Sequence, residues 1–346
     1  MLTSDERQKI ADIKKRVLSM LSERQQDDMP GKFWDDACER FRYLIDLPDE
    51  HFEKLRWHTF HVDGDMYNPY FYGHHRQRLK EKFEVLVRDV PTRYRLSAPQ
   101  VLGEFGYDFG GHIVNEGTLG AQHTVNVLLQ DGLLPKLEKK ASREKLSILE
   151  IGAGYGGWAY HFKRLLPNST YFIIDLPETL LLSAAYLSLS WPHKRVYVYE
   201  KDSFPIDFGD YDYVLLPNFA RVLERLNESF DLVMNIDSFQ EMNATQVSFY
   251  ASFVASHLKK DGTLYSWNKD RQLKNAADLN VTKALAAHFR LAEVAYAPTP
   301  KFSVKKLLNV SLGTVLAKLN KRLRKSAAPT EADAGGSHEY LAKLAA

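Results

Sequence analysis

The chain has 346 residues, 45% of them hydrophobic and 12% aromatic, which is enough for one large core and a second, smaller one. A formal net charge of +2 gives no global basic field of the kind that nucleic-acid binding needs. The single cysteine, Cys38, excludes an intrachain disulfide and a cysteine-built zinc or iron–sulfur site, and it points to a reducing, cytoplasmic setting.

Residues 1–60 read as helical, with Ile10, Ile13, Val17 and Leu21 at helical spacing, and Phe41, Leu44 and Ile45 likewise. The stretch from Arg56 to Tyr72 is rich in aromatics and histidines but has no period, so it reads as irregular. With His58, His61, Asp63 and Asp65 it is a candidate wall for a carbohydrate acceptor, although aromatics more often form a core or an interface. Phe83 to Val90 reads as a helix. A glycine-rich stretch from Gly103 to Gly120 precedes a helix expected over Ala121 to Leu134, and Glu138 to Lys145 reads as a charged connector. From Ser147 onward, strand and helix patterns alternate. The expected strands are Ile148–Gly152, Tyr171–Asp175, Arg195–Glu200, Tyr211–Leu216, Asp231–Ile236 and Gly262–Trp267. Such alternation implies an α/β fold with a mostly parallel sheet and helices on both faces. The longest apolar run, Thr179 to Trp191, is short of the about 20 residues a membrane span needs and reads as a buried helix.

The expected organisation has four parts. Residues 1–100 form a helical, aromatic-rich region with an acceptor or oligomer role, so a homo-oligomer is an open expectation. Residues 101–301 form the ligand-binding domain. Residues 302–325 form a basic segment, and 326–346 a disordered tail. The basic segment reads as a solvated terminal helix or a peripheral membrane contact, and its Gly313-Thr314-Val315-Leu316 portion as an alternative last strand.

The centre of the chain is Ile148-Leu149-Glu150-Ile151-Gly152-Ala153-Gly154-Tyr155-Gly156-Gly157. Glycines at these spacings let the backbone turn sharply and let a ligand lie against it, and the following helix offers a positive N-terminus. Gly152, Gly154 and Gly157 satisfy the dinucleotide fingerprint G-x-G-x-x-G. Glu150, Gly152, Gly154 and Gly156 satisfy E-x-G-x-G-x-G, and an acid in that place suits a ligand with a cationic amino-acid end. Asp175 closes the next strand, where a carboxylate can bond both ribose hydroxyls; this fits either ligand class.

Three segments resemble the sugar O-methyltransferase family of the class I S-adenosylmethionine-dependent methyltransferases. They are Leu149 to Gly157, Ile173-Ile174-Asp175-Leu176-Pro177-Glu178-Thr179, and Asn235-Ile236-Asp237-Ser238-Phe239-Gln240-Glu241-Met242. Tyr213 to Asn218 is also similar, and the resemblance runs from about Gly103 to Asn268. It implies a class I methyltransferase (Rossmann-like) fold and O-methylation of a sugar in bacterial polysaccharide or glycoconjugate biosynthesis. It also implies that Glu150, Gly152, Gly154 and Asp175 bind S-adenosylmethionine, with Ala153, Tyr155, Gly156, Leu176 and Asn235 alongside them. The adenine edge would be met by Asp202 or by Asn218, each following a strand. Tyr155 either lies over the sulfonium or packs on the helix.

Transfer to a hydroxyl needs alignment and a proton acceptor. Asp237 and Glu241, after the fourth strand, are the first candidates. The alternative for Glu241 is a helix N-terminal acid with Ser238 as the cap. His112 and His123, flanking Glu116, are further candidates for the base. Magnesium is conceivable through Asp237 and Glu241, but no metal-ligand spacing is present. The competing readings are an NAD(P)-dependent oxidoreductase using the same loop and a non-catalytic methyltransferase-like partner. A nucleic-acid substrate is disfavoured because no N-P-P-[YF] tetrapeptide occurs.

Overall fold

The computed structural model describes residues 2–30, 32–63, 75–270, 280–294 and 337–345. A hairpin of β1 (Tyr107–Asp108) and β2 (Ile113–Val114) precedes the main sheet. That sheet contains β3 (Leu146–Ile151), β4 (Ser169–Asp175), β5 (Val196–Val198), β6 (Tyr213–Pro217), β7 (Phe230–Ile236), β8 (Leu258–Lys269), β9 (Phe289–Glu293) and β10 (Ser337–Leu344). The spatial order is β5-β6-β4-β3-β7-β8-β10-β9. The first six pair in parallel, and β10 runs antiparallel to both of its neighbours. Ile148, Leu149 and Ile151 of β3 and Phe172, Ile173 and Ile174 of β4 are fully buried. Such largely apolar runs, broken in β3 by Glu150, mark parallel strands covered on both faces. The chain starts mid-sheet at β3, moves out through β4, and crosses back to β7 on the other side of β3. That reversal opens a crevice at the C-terminal strand ends.

The helices are α1 (Ser4–Glu23), α2 (Lys32–Phe41), α3 (Arg76–Val87), α4 (Glu116–Gln130), α5 (Leu133–Ala141), α6 (Gly157–Leu165), α7 (Pro177–Ser190), α8 (Ala244–His257) and α9 (Val281–Ala286). The capping box of Thr3 and Glu6 starts α1, whose Ile10, Ile13, Val17 and Met20 are buried on one stripe. They share a single hydrophobic cluster with α7 and the sheet, while Leu79, Phe83, Leu86, Val87, Val114 and Leu119 form a second, small one. The apolar run of α7 is buried along its length, as its composition required. Among the described residues no helix is long and apolar enough to cross a membrane.

Several boundaries differ from the sequence reading. Helix α4 begins at Glu116, five residues before the expected Ala121. Asn115 caps it by accepting from the Thr118 N–H at 2.9 Å, and Gly117 and Gly120 lie inside the helix. Gly120 is small because Trp158 packs there, with its ring 3.0 Å from where a Cβ would stand. The first half of the charged connector, Glu138 to Ala141, is the end of α5, and α3 starts at Arg76 rather than near Phe83. The stretch read as irregular opens on the last two residues of a 3-10 helix, Asp49–Trp57, and contains a helical turn, Phe60–Asp63. Short turns of this kind carry no amphipathic period. The tail expected to be disordered contains β10, which inserts between β8 and β9 and buries Ala342 completely. The basic segment 302–325, its Gly313 to Leu316 alternative strand, residues 326–336, and Asp65 with Met66 to Tyr72 lie outside the described residues.

Candidate active site

Strand β3 runs straight into the glycine loop, where Gly152 and Gly154 have φ of 77° and 57°. Both positions need glycine for a second reason. The Ser238 side chain occupies the space of a Gly152 Cβ, and a Gly154 Cβ would stand 2.7 Å from Val62 Cγ1. Beside this loop lies a cavity of about 300 Å³ at the C-terminal ends of β3, β4 and β7.

Glu150 lines its floor and is 2% exposed. Tyr171 donates a 2.7 Å hydrogen bond to its Oε2. Burial nevertheless pushes the carboxyl up to about 8, because the charged form loses water and one hydroxyl does not replace it. Asp175 accepts from the Gly154 N–H at 2.9 Å and the Leu176 N–H at 2.8 Å, so the end of β4 fixes the glycine loop. Burial raises Asp175 to about 6 against these hydrogen bonds.

After β7 the chain turns through Asp237, whose φ of 54° is rare for a side-chain-bearing residue. Its N–H donates to the Trp267 carbonyl at 2.8 Å. Glu241 follows on a 3-10 turn, Phe239–Glu241, and its Oε2 accepts from the Trp34 indole N–H at 2.8 Å. Helix α8 is capped by Asn243, so neither Ser238 as its cap nor Glu241 as its first-turn acid is realised.

The N-terminal segment roofs the cavity with Pro30, Trp34 and Val62. It is tied down along its length. Arg24 pairs with Glu178, Asn218 Nδ2 donates to the Asp28 carbonyl at 2.9 Å, and Gln246 Nε2 donates to the Met29 carbonyl at 3.2 Å. Deeper in, the fully buried Arg56 pairs with Glu104 at 2.6 Å, and its guanidinium lies 3.4 Å over the Tyr155 ring. The cation that Tyr155 meets is therefore Arg56, and the ring packs edge-on against Tyr186.

Of the residues singled out in the sequence, Glu150, Gly152, Ala153, Gly154, Tyr155, Asp175, Leu176, Asn218, Asp237 and Glu241 all border this cavity. The others do not. Gly156 starts α6 and faces Leu187 and Ser183 of α7. Asn235 is fully buried; it donates to the Ile151 carbonyl at 2.9 Å and accepts from the Phe239 N–H and from Asn268, holding the strand ends together. Asp202 sits exposed after β5, the outermost strand, whereas Asn218 follows β6, which lies directly beside β4. His112 lies in the β1–β2 hairpin, 5.7 Å from the Phe83 ring. His123 bonds Glu339 at 3.0 Å and packs on Trp267. Glu116 does reach the cavity, paired with Arg78 and Lys82. Trp57 bonds the Gly103 carbonyl and His58 the Tyr43 hydroxyl, so neither forms a cavity wall.

Trp34 was missed because no motif marks it, whereas Val62 lies in the stretch read as a candidate acceptor wall. They reach the loop from over 90 residues away in sequence. The cavity is lined by five carboxylates: Glu116, Glu150, Asp175, Asp237 and Glu241. Among the described residues no lysine, arginine or histidine lines it. No group of three or more His, Cys, Asp or Glu side chains that could hold a metal occurs among the described residues.

The strand order, the reversed β10 near one edge and the glycine loop after the central strand define a Rossmann-like α/β fold. No family model matches the chain, and no curated protein does. Solved structures similar to it include an O-methyltransferase family protein from Burkholderia thailandensis, at 15% identity over 52% of this chain and 57% of that one, with a TM-score of 0.32. A cyclopropane synthase from Mycobacterium tuberculosis is 13% identical over 62% of this chain and 85% of that one, with a TM-score of 0.35. A mitomycin 7-O-methyltransferase is 13% identical over 66% and 57%, with a TM-score of 0.31. The match thus spans little more than half the length of the first of these.

Proposed function

We propose that this chain is an S-adenosylmethionine-dependent methyltransferase acting on a sugar hydroxyl in polysaccharide or glycoconjugate biosynthesis. The observation that carries the donor assignment is the acidic lining of the cavity: five carboxyl groups stand at a glycine loop, Glu116 among them paired with Arg78 and Lys82, and no basic side chain of the described residues lines it. A sulfonium with an ammonium group is favoured by that field, and a dinucleotide diphosphate is repelled by it.

Bound S-adenosylmethionine supplies an electrophilic methyl carbon whose bond to sulfur breaks as the acceptor oxygen attacks. In this reading Gly152, Ala153 and Gly154 give the backbone surface for the donor. Asp175 and Leu176 face the ribose, Asn218 faces the adenine, and Glu150 faces the ammonium. Glu241, with Asp237 as its alternative, takes the hydroxyl proton as the oxygen–carbon bond forms. Pro30, Trp34 and Val62 roof this end of the cavity. The sugar assignment is supported by the likeness of Asp237 to Met242 to sugar O-methyltransferases. It is supported also by Trp34 and Trp158 beside carboxylates, since sugars offer flat apolar faces and hydroxyls together.

Calorimetric titration with S-adenosylhomocysteine, NAD(H) and NADP(H) tests the donor. Micromolar binding of the homocysteine compound alone is expected; binding of a nicotinamide cofactor alone would overturn the reading. Transfer of labelled methyl from S-adenosylmethionine to a bacterial glycan panel then tests the acceptor, and label arriving only on non-carbohydrate acceptors would remove the sugar.

A further inference from the structure

We propose that Trp34 is a positioning residue that holds the Glu241 carboxylate in place as a hydrogen-bond acceptor at the acceptor end of the cavity. The inference rests on reading Glu241 as the proton acceptor. Trp34 lies on α2 and Glu241 on the turn after β7, 207 residues apart, and the indole N–H reaches Oε2 at 2.8 Å. That is a full-strength length for a hydrogen bond to a carboxylate.

The chemistry of the pair is one-directional. An indole nitrogen donates and cannot accept, so the bond favours the ionised carboxylate, the form that can take a proton. Glu241 stands on a three-residue 3-10 turn ahead of α8, where the indole of Trp34 meets it. Trp34 in turn is delivered by the roof segment, which Asp28 and Met29 tie to Asn218 and to Gln246 of α8. The same segment that roofs the cavity therefore brings the indole to the carboxylate.

The bond can be read without an acceptor substrate, in the full-length protein, by following the Trp34 indole N–H resonance against pH. In the wild type it shifts with a single carboxylate titration, and Glu241→Gln abolishes that shift. In Trp34→Phe the Glu241 carboxyl carbon titrates at higher pH, while S-adenosylhomocysteine affinity changes by less than about threefold, under 1 kcal/mol. An indole resonance indifferent to pH in the wild type, or unchanged Glu241 titration in Trp34→Phe, overturns the proposal. The wild-type and Glu241→Gln comparison decides it even if Trp34→Phe does not fold. Failure of the wild type to bind S-adenosylhomocysteine sinks the methyltransferase reading separately, and the titration still decides whether the indole holds this carboxylate.

Discussion

Tyr171 on β4 donates a 2.7 Å hydrogen bond to the Glu150 carboxylate on neighbouring β3, and both side chains are buried. The strand register puts Tyr171 opposite Ile148 and Glu150 opposite Ile173, so the two meet on one face of the sheet. The carboxyl is raised from 4.5 to about 8, mainly by burial. The folded state thus holds a proton that the unfolded chain releases at lower pH. Stability from this group is complete below about 4.5 and is lost as pH rises to about 8. Thermal melts of the wild type should therefore fall across that window, and Glu150→Gln should flatten the fall. Parallel profiles for the two proteins would show that Glu150 ionises normally.

Gly152→Ala should lose donor binding. The substitution strains a left-handed backbone, at about 1–2 kcal/mol, and drives a methyl into Ser238. A loss of S-adenosylhomocysteine affinity of about tenfold or more is expected, since 1.4 kcal/mol is a factor of ten. Gly110→Ala is the control. It has φ of 69° but nothing within 4 Å, so it should cost stability alone. Equal affinities for the two variants would remove the glycine loop from the site.

Asn218 and Asp202 looked equivalent in the sequence, and the sheet order separates them. Asn218→Ala should weaken S-adenosylhomocysteine binding by about three- to tenfold, the range of one hydrogen bond. Asp202→Ala, on an exposed turn outside the cavity, should leave it unchanged. The reverse pattern in calorimetry would move the adenine to the β5 side.

Deleting residues 337–346 should destabilise the whole domain. Strand β10 links β8 to β9, and its Ala342 is fully buried. Loss of a cooperative melt, or a midpoint several degrees lower, is expected. An unchanged midpoint would show that the sheet ends at β8.

Much of the fold was legible in the sequence because its parallel strands are local apolar runs flanked by turns. The six strands expected from Ile148 to Trp267 all occur, within a few residues. Helix α4 started early because the cap at Asn115 lay within a glycine-rich stretch that masked the helical period. Strand β10 was missed for a different reason. It follows a long polar stretch and is a strand only because β8 and β9 supply partners on both sides.

By itself the sequence determined the glycine turn, Asp175 at the end of β4 and the acid at Glu150, because each depends on residues adjacent in the chain. Tertiary structure alone decided which of these groups share a cavity with Asp237 and Glu241. It also put Trp34 and Val62 over them and excluded His112, His123, Asp202 and Asn235 from the lining. The physical reason is distance along the chain. A hydrogen bond between residues 207 positions apart leaves no period or spacing to read, and it exists only once the fold has brought α2 to the turn after β7.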